Sequence, residues 1–130
     1  MKVIWCWRCK RDIPMLEPDE ADRVFGAQNR GLVTLNPESF RQIHEEFTGD
    51  PDGLQRRLEF EREYGGMLRE YKRITGFPET NPMALYHHKI WMYGPPCEYC
   101  GKPLRTPDAK LCVACMRPVP ATSMSGDDVL

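Results

Sequence analysis

A chain of 130 residues has room for one domain, or one domain with a small appendage. Its net charge of −1 excludes bulk polyanion binding, and 41% hydrophobic residues with 12 prolines and 10 glycines imply a modest core and much irregular structure. No window approaches the roughly 20 apolar residues of a membrane helix, and the start MKVIWCWRCKRD lacks the apolar run of a signal peptide.

In chain order, residues 2–5 (KVIW) read as a short strand entering Cys6-Trp7-Arg8-Cys9. Residues 10–16 (KRDIPML) return beside it, with Pro14 implying an edge position. Residues 17–28 predict a short helix, with Pro18 at its first position and Asp19, Glu20 and Asp22 in its first turn. After a turn at residues 29–31, Leu32, Val33 and Leu35 form a brief apolar run compatible with a strand.

Asn36-Pro37 opens a helix with Phe40, Ile43, His44 and Phe47 at i, i+3, i+4 and i+7, closed by Gly49. Asp50-Pro51 opens the next. There Phe60, Tyr64, Met67, Tyr71 and Ile74 define a single stripe, with Leu54 and Leu58 off one edge. Either the buried face is wide or the helix bends at Gly65-Gly66, and Gly76 ends it. The tight turn between the two predicts an antiparallel helical hairpin. Asn81-Pro82 repeats the cap-plus-proline start for a shorter helix through about His88. Residues 90–93 read as extended, Gly94-Pro95-Pro96 as a stiff linker, and the end from Val119 as a frayed tail.

Six cysteines fall into three C-x2-C pairs, which is metal spacing in a reducing compartment and not a secreted disulfide framework. A cytoplasmic location is therefore expected. Cys97/Cys100 and Cys112/Cys115 stand eleven residues apart, and four thiolates at about 2.3 Å suit a tetrahedral zinc ion. Gly101 supplies the left-handed residue that such a turn requires. The wording CxxCGxxL…AKxCxxC resembles the short zinc-ribbon modules of many bacterial and archaeal proteins over about twenty residues. The resemblance implies Zn2+ on these four cysteines, with Leu104 as an apolar plug. It departs at Met116, where the ribbons usually carry a second glycine, which predicts a looser second turn.

Cys6 and Cys9 leave four readings open: a second metal site completed by histidine, a shared site with one C-terminal pair, a redox dithiol, or unligated packed thiols. The candidate histidines are His44, His87 and His88. Neighbours on a helix point about 100° apart, which argues against His87 and His88 facing one metal together. The expectation is one of them buried and hydrogen-bonded and the other exposed, with His44 a satisfied core residue.

Nothing in the sequence matches GxSxG, HExxH, a P-loop or GxGxxG, and PCEYC has no H-x-E upstream, so no enzyme is expected. Glu45, Glu46, Glu59, Glu61, Glu63 and Glu70 alternate with arginines as on a solvated face. Trp5, Trp7, Trp91 and Tyr93 lie beside the basic, cysteine-bearing ends. They could stack single-stranded nucleic acid, or they could cover the metal site and pin it in place.

The resulting expectation is an α+β protein. It has a central helical hairpin, short N-terminal strands and a C-terminal zinc ribbon, divided as residues 1–93, 94–118 and 119–130. CWRC followed by PML and an acidic helix also resembles small uncharacterised bacterial proteins of toxin–immunity gene neighbourhoods. That resemblance implies a partner protein, such as a toxin, engaged by Glu45, Glu46, Glu59, Glu63 and Glu70. A nucleic-acid-binding accessory protein is the alternative.

Overall fold

The computed structural model describes residues 1–120, and the fold is α+β. Two compact units divide the chain: Asp19–Tyr86 with Met1, and Lys2–Pro18 with the chain from His87 onward. The first cysteine pair falls in the same unit as the C-terminal pairs.

The helical unit carries five helices, α1 (Pro18–Gly26), α2 (Gly31–Thr34), α3 (Pro37–Glu46), α4 (Pro51–Phe60) and α5 (Gly66–Thr75). Starts follow the cap-plus-proline signals. Asn36 accepts from the Ser39 N–H at 2.8 Å, Asp50 from Gly53 at 3.0 Å, and Asn81 from Met83 at 3.0 Å, each satisfying an orphan donor of the first turn. Gly76, at φ +76°, closes α5 in the left-handed conformation. Leu32 and Val33 lie in α2 and not in a strand, and Leu35 is its extended C-cap. Arg69 fixes that helix by donating to the Gly31 carbonyl at 2.7 Å and to Thr34 Oγ1 at 2.9 Å.

Between α4 and α5 the helix widens into a π-turn over Glu61–Gly65. Glu61 is 4% exposed, against the solvated face expected of it. It accepts from Arg57 at 2.9 Å and is also paired with Arg69, so its charge is buried with partners on both sides. Gly31 lies against this turn, where a Cβ would run into the Glu61 carbonyl. The turn also breaks the expected stripe: Met67 and Tyr71 are fully buried, while Phe60, before the turn, is exposed.

The second unit opens with an antiparallel hairpin of β1 (Lys2–Cys6) and β2 (Arg11–Met15), in the register Lys2↔Met15 to Cys6↔Arg11. With two strands only, Pro14 disturbs no third partner. The sequence Pro82–His87 is a 3₁₀ helix. Ile90–Met92 is a single 3₁₀ turn in place of the expected extended segment, held by Met92 N–H donating to the Lys89 carbonyl at 3.1 Å. Leu16 N–H donates to the His88 carbonyl at 2.8 Å and Ile90 N–H to Leu16 at 2.9 Å, which ties the N-terminal hairpin to the chain after His87.

The Gly94-Pro95-Pro96 stretch does more than link. Gly94 N–H donates to the Leu104 carbonyl at 2.8 Å, Leu104 N–H to Pro95 at 3.0 Å, and Cys97 N–H to Lys102 at 2.8 Å. A Cβ at Gly94 would meet the Thr106 carbonyl and Leu104 Cβ, so this close approach requires glycine. Farther along, β3 (Leu111–Cys112) pairs with β4 (Arg117–Pro118), and Val119 N–H reaches the Lys110 carbonyl at 2.8 Å. The expected tail therefore still bonds at Val119; its part over 121–130 lies outside the described residues. Leu104, Cys97 and Cys112 are buried together, with Ala109, Cys115 and Val119 against them.

Candidate metal centres

All three C-x2-C turns have one construction. The residue after the second cysteine is left-handed, at φ 56° for Lys10, 80° for Gly101 and 61° for Met116. Its N–H closes the turn onto the carbonyl of the first cysteine: Lys10 to Cys6 at 2.7 Å, Gly101 to Cys97 at 2.9 Å and Met116 to Cys112 at 2.7 Å. The second C-terminal turn is thus as closed as the first, against the looser turn expected of Met116. The side chain there instead occupies a region that costs a non-glycine residue roughly 1–2 kcal/mol. Each turn presents two sulfurs on one side, and three half-sites result.

Two of the half-sites face each other. Cys97 Sγ lies 3.7 Å from Cys115 Sγ, and Cys100 Sγ lies 3.6 Å from Cys112 Sγ. The four sulfurs all fall within 4.8 Å of one another. A disulfide would bring two sulfurs to about 2.05 Å, whereas a tetrahedron of bonds of about 2.3 Å sets its corners about 3.8 Å apart. The observed spacing matches the tetrahedron, and all six cysteines are free. The backbone N–H groups of Cys100 and Tyr99 hold the Cys97 thiol down at about 7, toward the thiolate that a metal takes.

The third half-site is met by histidines. Cys9 Sγ lies 3.3 Å from His88 Nε2 and 3.8 Å from His87 Nε2, and with Cys6 Sγ the four donor atoms again fall within 4.8 Å. The expectation that neighbouring histidines diverge rests on α-helical geometry, which the chain does not have here. His87 ends the 3₁₀ helix and His88 lies outside it, so the backbone turns between them and both rings swing to Cys9. Their planes stand at 85° with centroids 4.7 Å apart.

His88 is fully buried and His87 half-buried. Burial, then the charge of His87, lowers His88 to about 4, so at neutral pH it is the neutral imidazole that metals bind. Tyr93, whose hydroxyl burial keeps protonated, donates to the His87 carbonyl at 2.6 Å and sits 3.7 Å from Cys6 Sγ. It touches both halves of the cluster, and its role was not legible in the sequence. The shared-site reading does not hold, because the C-terminal pairs face each other. Among the described residues these two groups are the clusters of metal-ligating side chains.

His44 belongs to neither. Its Nδ1 lies 2.9 Å from the Phe40 carbonyl and its ring against Phe40. The glutamates expected to face a partner lie along α3, α4, the π-turn and α5. Glu45 is paired with Arg41 and Glu70 with Arg73, Glu59 accepts from Gln55 at 3.2 Å, Glu46 is exposed, and Glu63 is half-buried. The aromatic residues beside the cysteines make contacts within their own unit. Trp7 Nε1 donates to the Pro103 carbonyl at 2.9 Å, Lys102 Nζ lies 4.0 Å above the Trp5 ring, and Arg117 lies 4.7 Å above Tyr99. No helix among the described residues is long and apolar enough to cross a membrane. Comparison with protein families, with curated proteins and with solved structures found no match to this chain.

Proposed function

We propose that the chain is a non-enzymatic zinc protein that docks onto a partner protein through the surface its C-terminal cysteine turns present. The carrying observation is the closed set of Cys97, Cys100, Cys112 and Cys115 at tetrahedral spacing. Four soft thiolates suit Zn2+, and four protein ligands leave no position for an activated water, which is the character of a structural zinc. Zinc here holds a segment whose apolar core is only a few side chains.

Around those turns the chain exposes Tyr99, Leu111, Val113 and Met116, the last at 67%. A short segment that gives up apolar side chains to solvent while a metal fixes its backbone fits a docking surface better than a catalytic one. An immunity-type inhibitor of a toxin is one role this reading accommodates. The acidic residues of the helices support it less directly, since Arg41 and Arg73 already neutralise Glu45 and Glu70. For nucleic acid the observations are weaker: the Trp5 ring carries Lys102 and Trp7 is engaged with Pro103, so neither tryptophan presents a free stacking face.

A tagged pull-down from the native host, with and without nuclease and with zinc counted in the eluate, tests the proposal. A stoichiometric protein that survives nuclease, and that Tyr99→Ala with Met116→Ala releases, is the expected result. Loss of all bound material on nuclease treatment would move the function to the basic ends.

A further inference from the structure

We infer that Cys6, Cys9, His87 and His88 bind a second Zn2+, so that the chain carries two structural metals of different ligand chemistry. The inference is independent of the partner reading above. It stands on three observations, beginning with distance. A tetrahedral ion bound at about 2.3 Å by sulfur and about 2.0 Å by nitrogen sets S···N corners about 3.5 Å apart. The two measured here, 3.3 and 3.8 Å, bracket that value.

The second observation is the turn itself. Residues Cys6–Lys10 repeat the backbone closure of the turns that carry the four-cysteine group, with a left-handed residue after the second cysteine donating to the carbonyl of the first. A backbone N–H also points at the first sulfur, from the third residue on in Cys9 to Cys6 Sγ and from the second in Tyr99 to Cys97 Sγ, both at 3.4 Å. A left-handed lysine has to be held in place, and two sulfurs aimed at two imidazoles supply a reason for holding it.

The third is charge against burial. Two thiolates and two neutral imidazoles around Zn2+ sum to zero, whereas four thiolates sum to minus two. The set that would be neutral is the more deeply placed, with Cys6 and His88 at 0% exposure. The set that would be doubly negative keeps Cys100 exposed to solvent. Tyr93, bonded to the His87 carbonyl and beside Cys6 Sγ, acts as a positioning residue that sets the two halves against each other. A redox dithiol at Cys6/Cys9 would leave the convergence of both Nε2 atoms on Cys9 without purpose.

The test is metal counting and cobalt substitution on the full chain. Two zinc ions per chain are expected. After exchange for Co2+, the wild type should show one tetrathiolate and one S2N2 absorption pattern. Cys9→Ser should lose one ion and the S2N2 pattern. Cys112→Ser should lose one ion and keep that pattern, which separates failure here from failure of the four-cysteine assignment. Because a cysteine variant can misfold, the wild-type spectrum decides alone. A single ion of tetrathiolate character overturns the inference. So does a second ion without imidazole character, or alkylation of Cys6 and Cys9 in the native protein while the metal count stays unchanged.

Discussion

The two candidate metal-ligand groups gather four donor atoms with opposite economies of sequence. The four-cysteine group is assembled from a continuous stretch, its facing sulfurs only 12 residues apart at the nearest. The Cys2His2 group joins residues 78 positions apart, with the whole helical unit lying between them in the sequence. For a flexible chain the longer closure costs only about 1.7 kcal/mol more, because loop entropy grows with the logarithm of length. Set beside the roughly 10 kcal/mol that a structural zinc supplies, that difference is minor. A distributed site is therefore nearly as favourable as a local one at equilibrium. What separates them is which parts of the chain must already be in place.

The largest effect that would sharpen this contrast is Cys112→Ser. It should remove metal-linked free energy on the order of 10 kcal/mol from the C-terminal segment. Amide exchange over residues 97–118 should become fast while helical circular dichroism persists. Native melting with full metal content would break the local-site reading.

Next comes Glu61→Ala, which acts on the helical unit alone. Arg57 and Arg69 are each more than a third exposed and stay hydrated, so the cost should sit near the low end for a broken buried pair, about 3 kcal/mol. Urea unfolding followed at 222 nm measures it, and the metal count should stay unchanged. Gly94→Ala should cost about 2 kcal/mol, because its Cβ collides with the Thr106 carbonyl and with Leu104 Cβ, as overpacking does. Unlike Glu61→Ala, it should loosen metal retention at the four-cysteine group in a chelator competition.

The smallest effect has the opposite sign. Met116→Gly should relieve the left-handed strain and stabilise the second turn, by under about 1 kcal/mol once the added freedom of the unfolded chain is counted. Gly101→Ala should destabilise the first turn by a similar amount. If both variants proved neutral under calorimetry, left-handed backbone would not be what closes these turns.

What could be read from the sequence divides along the same line. Caps at Asn36, Asp50 and Asn81, the stop at Gly76 and the C-terminal cysteine spacing are local signals, each complete within a few residues, and the structure carries all of them. The misses come from context. The Phe60–Ile74 stripe assumed an uninterrupted 3.6-residue period, but a π-turn shifts the phase, burying Glu61 and turning Phe60 outward. Leu32–Leu35 had strand-like composition, yet Arg69, far along the chain, grips its first turn as a helix. His87 and His88 were judged as neighbours on one helix, but the helix ends at His87 and His88 lies beyond it. The sequence offered Cys6 and Cys9 with a histidine as one of four readings; what it could not supply was that residues 87 and 88 both meet residue 9.

Synthesis from the N-terminus gives the separation of that ligand set a temporal meaning. At about 5–20 residues per second, the four-cysteine group completes itself within roughly 1–4 s of its first thiol leaving the ribosome. On the two-metal inference above, Cys6 and Cys9 wait about 4–16 s for their imidazoles. During that interval the nascent chain would carry a bare dithiol, open to oxidants and to thiophilic ions. On that inference the order of ligands along the chain exposes the N-terminal pair longer than the C-terminal ones during translation.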